Sequence, residues 1–487
     1  MRTDVLDVPE KASATSLRAV WPALLGLSVV FLVEMLDNSV LNVALPTIAR
    51  DLNASASDLQ WIASGYSLMF GGLMIAFGAL ADRYGTRRVM LLGLCLFALA
   101  SLAVLAVRTP AELVAVRAAI GLAAAMTAPG AMALGFRLFD QDTLRLRASA
   151  LISTVGLVGV AAGPTLGGLV LQVLPWQALL VFNVPVAVLA ALCIRLGVPA
   201  DDPAHRNTAP LDLPGALLAT ATLVLALWTA TLTVQDGWGR AAPWLTGTGS
   251  LVGAAGFVAR ERRTAHPVVD FALLKRPRVS AGLAYQAALG LGVAAVSYSA
   301  ALQVQLVWGW SPVEAALGNL PQIITMIAVG PFVEKLVTRT GIHRAGPLGA
   351  AAVITGLLLY ALLARYHYVW IAVALALTAA GMRVVMMVTG ITIMRGLPND
   401  RTSIGAALID TSQEVATSIG MAVTGTVVAA ALTGPLATIG TDATATRTFQ
   451  NAVTVAALGI AATCAVLVTW AARRSANAPD DNGPASS

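Results

Sequence analysis

Four carboxylates and two guanidinium groups stand inside stretches otherwise apolar enough to cross a bilayer. In the first stretch Glu34 and Asp37 are three residues apart, and Asn38 and Asn42 are four apart, so a helix gathers them into one polar stripe. A carboxylate in hydrocarbon must be protonated, paired or wet, and such residues usually mark an ion or proton pathway. The stripe therefore suits a proton carrier; its alternative is a polar knot that ties helices together. Arg117, in the run Leu113 to Gly121, keeps its proton and needs a partner or water. A first-stretch acid could be held and released by Arg117, coupling protonation to conformation, or the two could form a permanent structural pair. In the thirteenth stretch Asp410 and Glu414 lie four apart on one helical face. They could attract a cation or hold a second proton, or they could sit in water at a helix end. Arg383 is a further intramembrane charge that could pair with one of these two acids, and the sequence does not show which. Paired carboxylates can also serve hydrolysis, but only beside a nucleophile or a held water, and the neighbouring residues supply neither.

The elements that would position these groups follow from composition. The chain has 487 residues, 57% of them hydrophobic and 11% charged, with a mean hydropathy of +0.78. Fourteen long apolar stretches can be marked out between residues 19 and 471, and they do not alternate as barrel strands do. The expected class is an all-α integral membrane protein with 14 transmembrane helices. Three cysteines and four histidines are scattered without ligand spacing, so no metal site is expected. The net charge of +6 is topological. Arg50, Arg108, Arg240, Arg365 and Arg447 lie on one side and Arg117 and Arg383 within stretches. The rest of the 31 Lys and Arg residues fall on the side shared by both termini. That asymmetry predicts cytoplasmic termini and argues against a nucleic-acid role. The first 18 residues are polar and mixed in charge, so no cleavable signal peptide is expected there.

The expected organisation is a cytoplasmic segment 1–18, a six-helix bundle 19–197, a linker region 198–279 with two inserted helices, a second six-helix bundle 280–471, and a disordered cytoplasmic tail 472–487. The inserted pair lacks chemistry and is expected as a peripheral, lipid-side hairpin. An internal echo supports two related halves. Gly78 to Arg88 closes the second stretch with Asp82, Arg83, Gly85, Arg87 and Arg88; Gly330 to Arg344 closes the tenth. The second copy has Val337 where the first has its turn glycine, which predicts no tight turn there. In the fifth stretch Gly159, Gly163, Gly167 and Gly168 permit close helix approach, and Pro164 bends or opens the helix.

Together these motifs resemble the major facilitator superfamily, and more closely its fourteen-helix drug:proton antiporters. Leu36 to Pro46 is similar to the family's first-helix motif, which implies that Asp37 couples protons. Gly78 to Arg88 resembles the superfamily loop motif, a conformational gate. Arg117, Gly121 and Pro129 resemble the fourth-helix motif, whose arginine is implicated in proton transfer. Gly159 to Gly168 is similar to the motif that separates exporters from uptake carriers. Trp176, Phe182, Asn183 and Pro185 resemble the start of the sixth helix. The thirteenth helix departs from the usual Asn-Thr pattern by carrying Asp410 and Glu414, and acids there occur in relatives that export quaternary ammonium compounds and dyes.

The resemblance implies a monomeric proton-coupled antiporter of a bacterial cytoplasmic membrane, driven by the proton gradient, with no other cofactor. It would export a lipophilic, cationic small molecule. Trp61 and Tyr66 are weaker cavity candidates, since aromatic faces can hold cations. Two alternatives stay open: a dedicated exporter of one natural product, and a proton-coupled uptake symporter. The first gains from a composition rich in Ala, Gly, Arg and Leu, with Lys only at Lys11, Lys275 and Lys335, which suggests a high-GC genome.

Overall fold

The computed structural model describes residues 17–139, 141–201, 212–236, 239–264, 274–396, 402–432 and 439–476, and these are almost entirely helical. A 3-10 turn, Leu17–Val20, leads into α1 (Trp21–Asp51). Then follow α2 (Ala56–Tyr84), α3 (Thr86–Ala103), α4 (Pro110–Arg137), α5 (Asp142–Val173), the short α6 (Gln177–Val181) and α7 (Asn183–Gly197). Next are α8 (Leu213–Asp236) and α9 (Ala241–Glu261). The last set is α10 (Pro277–Leu302), α11 (Pro312–Leu317), α12 (Leu320–Ala328), α13 (Gly330–Thr340), α14 (Ile342–Leu363), α15 (Tyr368–Gly396), α16 (Thr402–Ala431) and α17 (Ala443–Ala476).

Local sequence explains where several helices start. Ser55 with Asp58, Thr109 with Glu112 and Ser311 with Glu314 form reciprocal capping boxes at the heads of α2, α4 and α11. Pro110 and Pro312 occupy first-turn positions, where a missing N–H costs nothing. The α2–α3 turn needs Gly85, at φ +108°. In the second half the corresponding turn does form, contrary to the expectation raised by Val337. Gly341, at φ +74°, makes it between α13 and α14, four residues further on.

Each of the fourteen expected stretches coincides with helix. Among the described residues, nine helices are long and apolar enough to cross a membrane. The pair α12–α13 would make a tenth, bent by 50°. Shorter apolar runs, Ala162–Val173 and Leu217–Thr229, lie in α5 and α8. Thirty-one residues of α1 extend about 46 Å, ample for a hydrocarbon core of about 30 Å. The final helix runs through 472–476, past the expected boundary of the tail; residues 1–16 and 477–487 lie outside the described set.

The helices pack as two groups. α1 lies on α5, α7 and α4; α2 on α4; α3 on α4 and α7. In the second group α10 lies on α15, α16 and α17, and α14 on α15 and α17. The groups meet mainly where α2 touches α16 and α5 touches α11. Hydrogen bonds cross between them at several points. Gln305 Nε2 donates to Val43 O at 3.0 Å, Thr426 Oγ1 to Gln60 Oε1 at 2.9 Å, and Ser418 Oγ to Ser64 O at 3.2 Å. All three lie between mid-helix and the end at which α1 finishes and α2 begins. A π-helical turn, Gln303–Val307, aims Gln305 across the gap.

The inserted α8–α9 hairpin is not simply peripheral. α8 lies along the α2–α16 seam, where Leu227 packs with Leu68 of α2 and Ala422 of α16. Arg260 donates to Asp212 at 2.6 Å and ties the open end of the hairpin together.

Candidate functional site

The first-stretch acids lie in the interior of the first group. Asp37 is 2% exposed and Arg117 is 0% exposed, and they form an ion pair between α1 and α4. Asn183, at the head of α7, donates from Nδ2 to the other Asp37 oxygen at 2.7 Å. The guanidinium also stacks over the Tyr66 ring of α2, 4.6 Å from its centre. Four helices therefore converge on one charge pair. Arg117 keeps two nitrogens, Nε and Nη2, without a hydrogen-bond partner. One turn earlier on α1, Glu34 accepts from Thr127 Oγ1 at 2.6 Å through Oε1, while its Oε2 has no partner.

The thirteenth-stretch acids separate in environment. Glu414 is buried on α16 where Gly71 of α2 comes against it; a Cβ on Gly71 would overlap the Glu414 side chain. Its Oε2 has no partner. Asp410, one turn away, is exposed. Both lie near enough to act electrostatically on Glu34 across the seam. Three acids from two helix groups thus share one electrostatic region, with the Asp37–Arg117 pair beside it. Arg383 does not join them. It makes no ion pair among the described residues, and its guanidinium lies against Gly330 at the α12–α13 bend. Neither Asp410 nor Glu414 pairs with it among the described residues, and Glu414 instead lies against Gly71 of α2.

The aromatic pair divides too. Tyr66 is buried at the charge pair, whereas Trp61 packs with the Leu68–Leu227–Ala422 cluster under α8. The fifth-helix glycines split by face. Gly159, Gly163 and Gly167, four apart, seat α5 on Leu32, Ser39 and Val40 of α1. Gly168 faces the second group, where a Cβ would press on the Pro312 and Val313 backbone. Pro164 is buried within unbroken helix.

At the α2–α3 turn, Asp201 accepts the backbone N–H groups of Arg87 and Arg88 at 3.1 and 3.0 Å. It caps an α3 start that otherwise has no side-chain cap. The Arg87 guanidinium donates to Arg195 O, and Arg83 lies over the Tyr84 ring at 5.6 Å. The Asp82 side chain is outside the described residues. Sequence reasoning assigned no role to Asp201, Thr127 or Asn183. Thr127 stands alone in an apolar run, which is itself a signal that its hydroxyl has a buried partner. No sequence signal announces Asp201, since its targets are 113 and 114 residues away. No group of three or more His, Cys, Asp or Glu able to hold a metal occurs among the described residues.

Residues 27–421 match the model of the Major Facilitator Superfamily. The chain belongs to that superfamily. It is accordingly a multi-pass membrane protein and a secondary transporter, not an enzyme. Several of its relatives carry names of drug or antibiotic export and resistance. It is 38% identical over 297 residues to the cephamycin export protein CmcT of Amycolatopsis lactamdurans, a match covering 60% of this chain and 61% of that protein. It is 32% identical over 412 residues to the multidrug efflux pump LfrA of Mycolicibacterium smegmatis, covering 84% and 80%. The methyl viologen resistance protein SmvA of Salmonella typhimurium is 28% identical over 411 residues, covering 83% and 82%. Among solved structures the nucleoside transporter NupG superposes with a TM-score of 0.65 at 13% identity, covering 93% of this chain and 99% of that one. An auto-inhibited POT-family peptide transporter gives 0.61 at 16% identity, covering 94% and 99%. At those identities the likeness is one of fold.

Proposed function

We propose that this superfamily member is a proton-coupled antiporter of a bacterial cytoplasmic membrane that exports lipophilic, cationic compounds by alternating access. The reading includes fourteen crossings, in a six-plus-two-plus-six order with bundles 19–197 and 280–471, and cytoplasmic termini. The observation that carries it is the buried Asp37–Arg117 pair beside three further acids drawn from both helix groups. Asp37 carries the coupling proton in this scheme. When Asp37 is ionised, Arg117 holds α1 to α4. Protonation removes that attraction and leaves Arg117 free to seek another acceptor, for which its two unpartnered nitrogens are ready. Glu34, Asp410 and Glu414 attract the cation or take a second proton. Asp82, Arg83, Gly85, Arg87 and Arg88 form the cytoplasmic gate, with Asp201 holding its turn.

Competition supplies the coupling. If proton and cation need the same ionised acids, binding one expels the other. A monovalent cation exchanged for one proton moves no net charge; exchange for two adds the membrane potential, about 2.3 kcal/mol per charge per 100 mV. With cytoplasmic termini, the hydrogen-bonded end of the seam faces outward, and exposed Asp410 is reached from the cytoplasm. Likeness to a multidrug pump and to a methyl viologen resistance protein supports a cationic substrate, because methyl viologen is itself a permanent cation.

The test is substrate-induced proton release from the purified protein across a quaternary ammonium and dye panel, with Asp37→Asn, Asp410→Asn and Glu414→Gln beside wild type. Saturable release by several cations, reduced at least tenfold by one or more substitutions, is expected. No release by any panel member would sink the cationic reading. The second reading, a dedicated exporter of one natural product, is favoured by the 38% identity to a cephamycin export protein. Protection of cells against a single compound, with none against the panel, would select it.

A further inference from the structure

A crevice of about 440 Å³ lies between α10, α16 and α17. Leu283 and Leu291 of α10, Val415 and Ile419 of α16 and Leu467 of α17 form its apolar walls. Two hydroxyls interrupt them. Ser412 Oγ donates to Leu283 O at 3.2 Å, and Thr411 Oγ1 has no partner. At one end stands Leu274, immediately before Lys275. Arg474, at the end of α17, reaches the same place: Nη2 donates to Lys275 O at 2.9 Å and Nε to Ser280 Oγ at 2.7 Å. Arg474 also lies over the Trp470 ring. Lys275 and Arg473 are exposed, and neither has an acidic partner among the described residues. The site is therefore apolar along its length and cationic at its mouth, and no acid among the described residues neutralises Lys275 or Arg473.

We propose that this crevice binds an anionic phospholipid. One acyl chain lies against the leucines and Ile419, the phosphate sits among Lys275, Arg473 and Arg474, and the Thr411 hydroxyl faces the glycerol ester region. Uncharged or zwitterionic lipid satisfies the walls but leaves the cationic mouth without a counter-charge, which is why an anionic headgroup is selected. The placement has a mechanical consequence. Residues 411, 412, 415 and 419 turn one face of α16 to the crevice, while Asp410 and Glu414 are carried on another. The lipid packs behind the helix that bears the seam acids and steadies it against α10. This inference needs only a bilayer and does not rest on the identity of the transported compound.

The full chain in detergent would be titrated with phosphatidylglycerol or phosphatidylcholine of matched acyl chains, and read by native mass spectrometry and by thermal unfolding. A saturable adduct of one lipid is expected, retained at least fivefold better for phosphatidylglycerol, with a larger rise in melting temperature. Lys275→Ser with Arg473→Ser removes that preference while leaving the melting temperature in phosphatidylcholine unchanged, because both side chains are at the surface. Ala287→Phe, which fills the crevice, reduces retention of the phosphatidylglycerol adduct itself. Equal retention of the two lipids by wild type, or a preference that survives the double substitution, overturns the proposal. Competitive displacement of the lipid by a transported dye, with Ala287→Phe slowing transport, also overturns it and makes the crevice a substrate entry.

Discussion

The Asp37–Arg117 pair is unusual in how much of its partner set is visible at once: two charges, one amide and one aromatic face, all buried. Removing one member of such a pair strands the other. Asp37→Ala is expected to destabilise the protein by about 3–5 kcal/mol. Asp37→Ala combined with Arg117→Met should cost less than the single change, because no charge is left uncompensated. Thermal unfolding of the four proteins of that cycle measures the coupling; strict additivity would mean the pair contributes no interaction energy. Tyr66 separates ring from hydroxyl. Its hydroxyl has no hydrogen-bond partner, so Tyr66→Phe should leave proton release unchanged. Tyr66→Leu removes the face under Arg117 and should cost about 0.5–2 kcal/mol in stability.

At the scale of elements, two contacts decide how helices meet. Asp201 satisfies two backbone donors at the start of α3. Asp201→Ala should weaken that end by about 1 kcal/mol, seen as faster hydrogen exchange over residues 86–90 with little change elsewhere. Gly168 lets α5 approach the α11 backbone. Gly168→Val adds atoms where Pro312 and Val313 stand, so it should push the two groups apart at that end. Labelling of a cysteine placed at Thr426 would rise several-fold in the Gly168→Val background. Unchanged labelling would mean that the α5–α11 contact does not hold that end shut. The fifth-helix glycines had been legible as a close-packing face; that three of them serve α1 and one serves the other half was not, because spacing alone does not name the neighbour.

For the whole molecule, closure at one end and an exposed Asp410 correspond to one of the two states that the proposed alternating access requires. Inverted membrane vesicles should accumulate a permanently cationic dye when a proton gradient, acid inside, is imposed, and lose it when the gradient is collapsed. Accumulation with the opposite gradient would select the uptake symporter instead. The α8–α9 hairpin belongs at this scale as well. Its sequence lacks chemistry and reads as peripheral, yet its packing puts it on the seam where the two groups meet.

Hydropathy, charge asymmetry and the acid-bearing stripes were enough to establish a helical membrane protein, its expected spans and the residues worth watching. The reason is that a bilayer penalises every unpaired charge and every unsatisfied backbone group, so the permitted exceptions stand out. The helix starts at Ser55, Thr109 and Ser311 are also set locally, since a capping box needs only four consecutive residues. What only the tertiary structure decided was who meets whom. Asn183 reaches Asp37 across 146 residues, Arg383 turns from the acids to the α12–α13 bend, Trp61 serves packing and Tyr66 the charge pair. Those choices depend on how long helices are stacked, and a helical period read along one segment carries no information about which segment lies beside it.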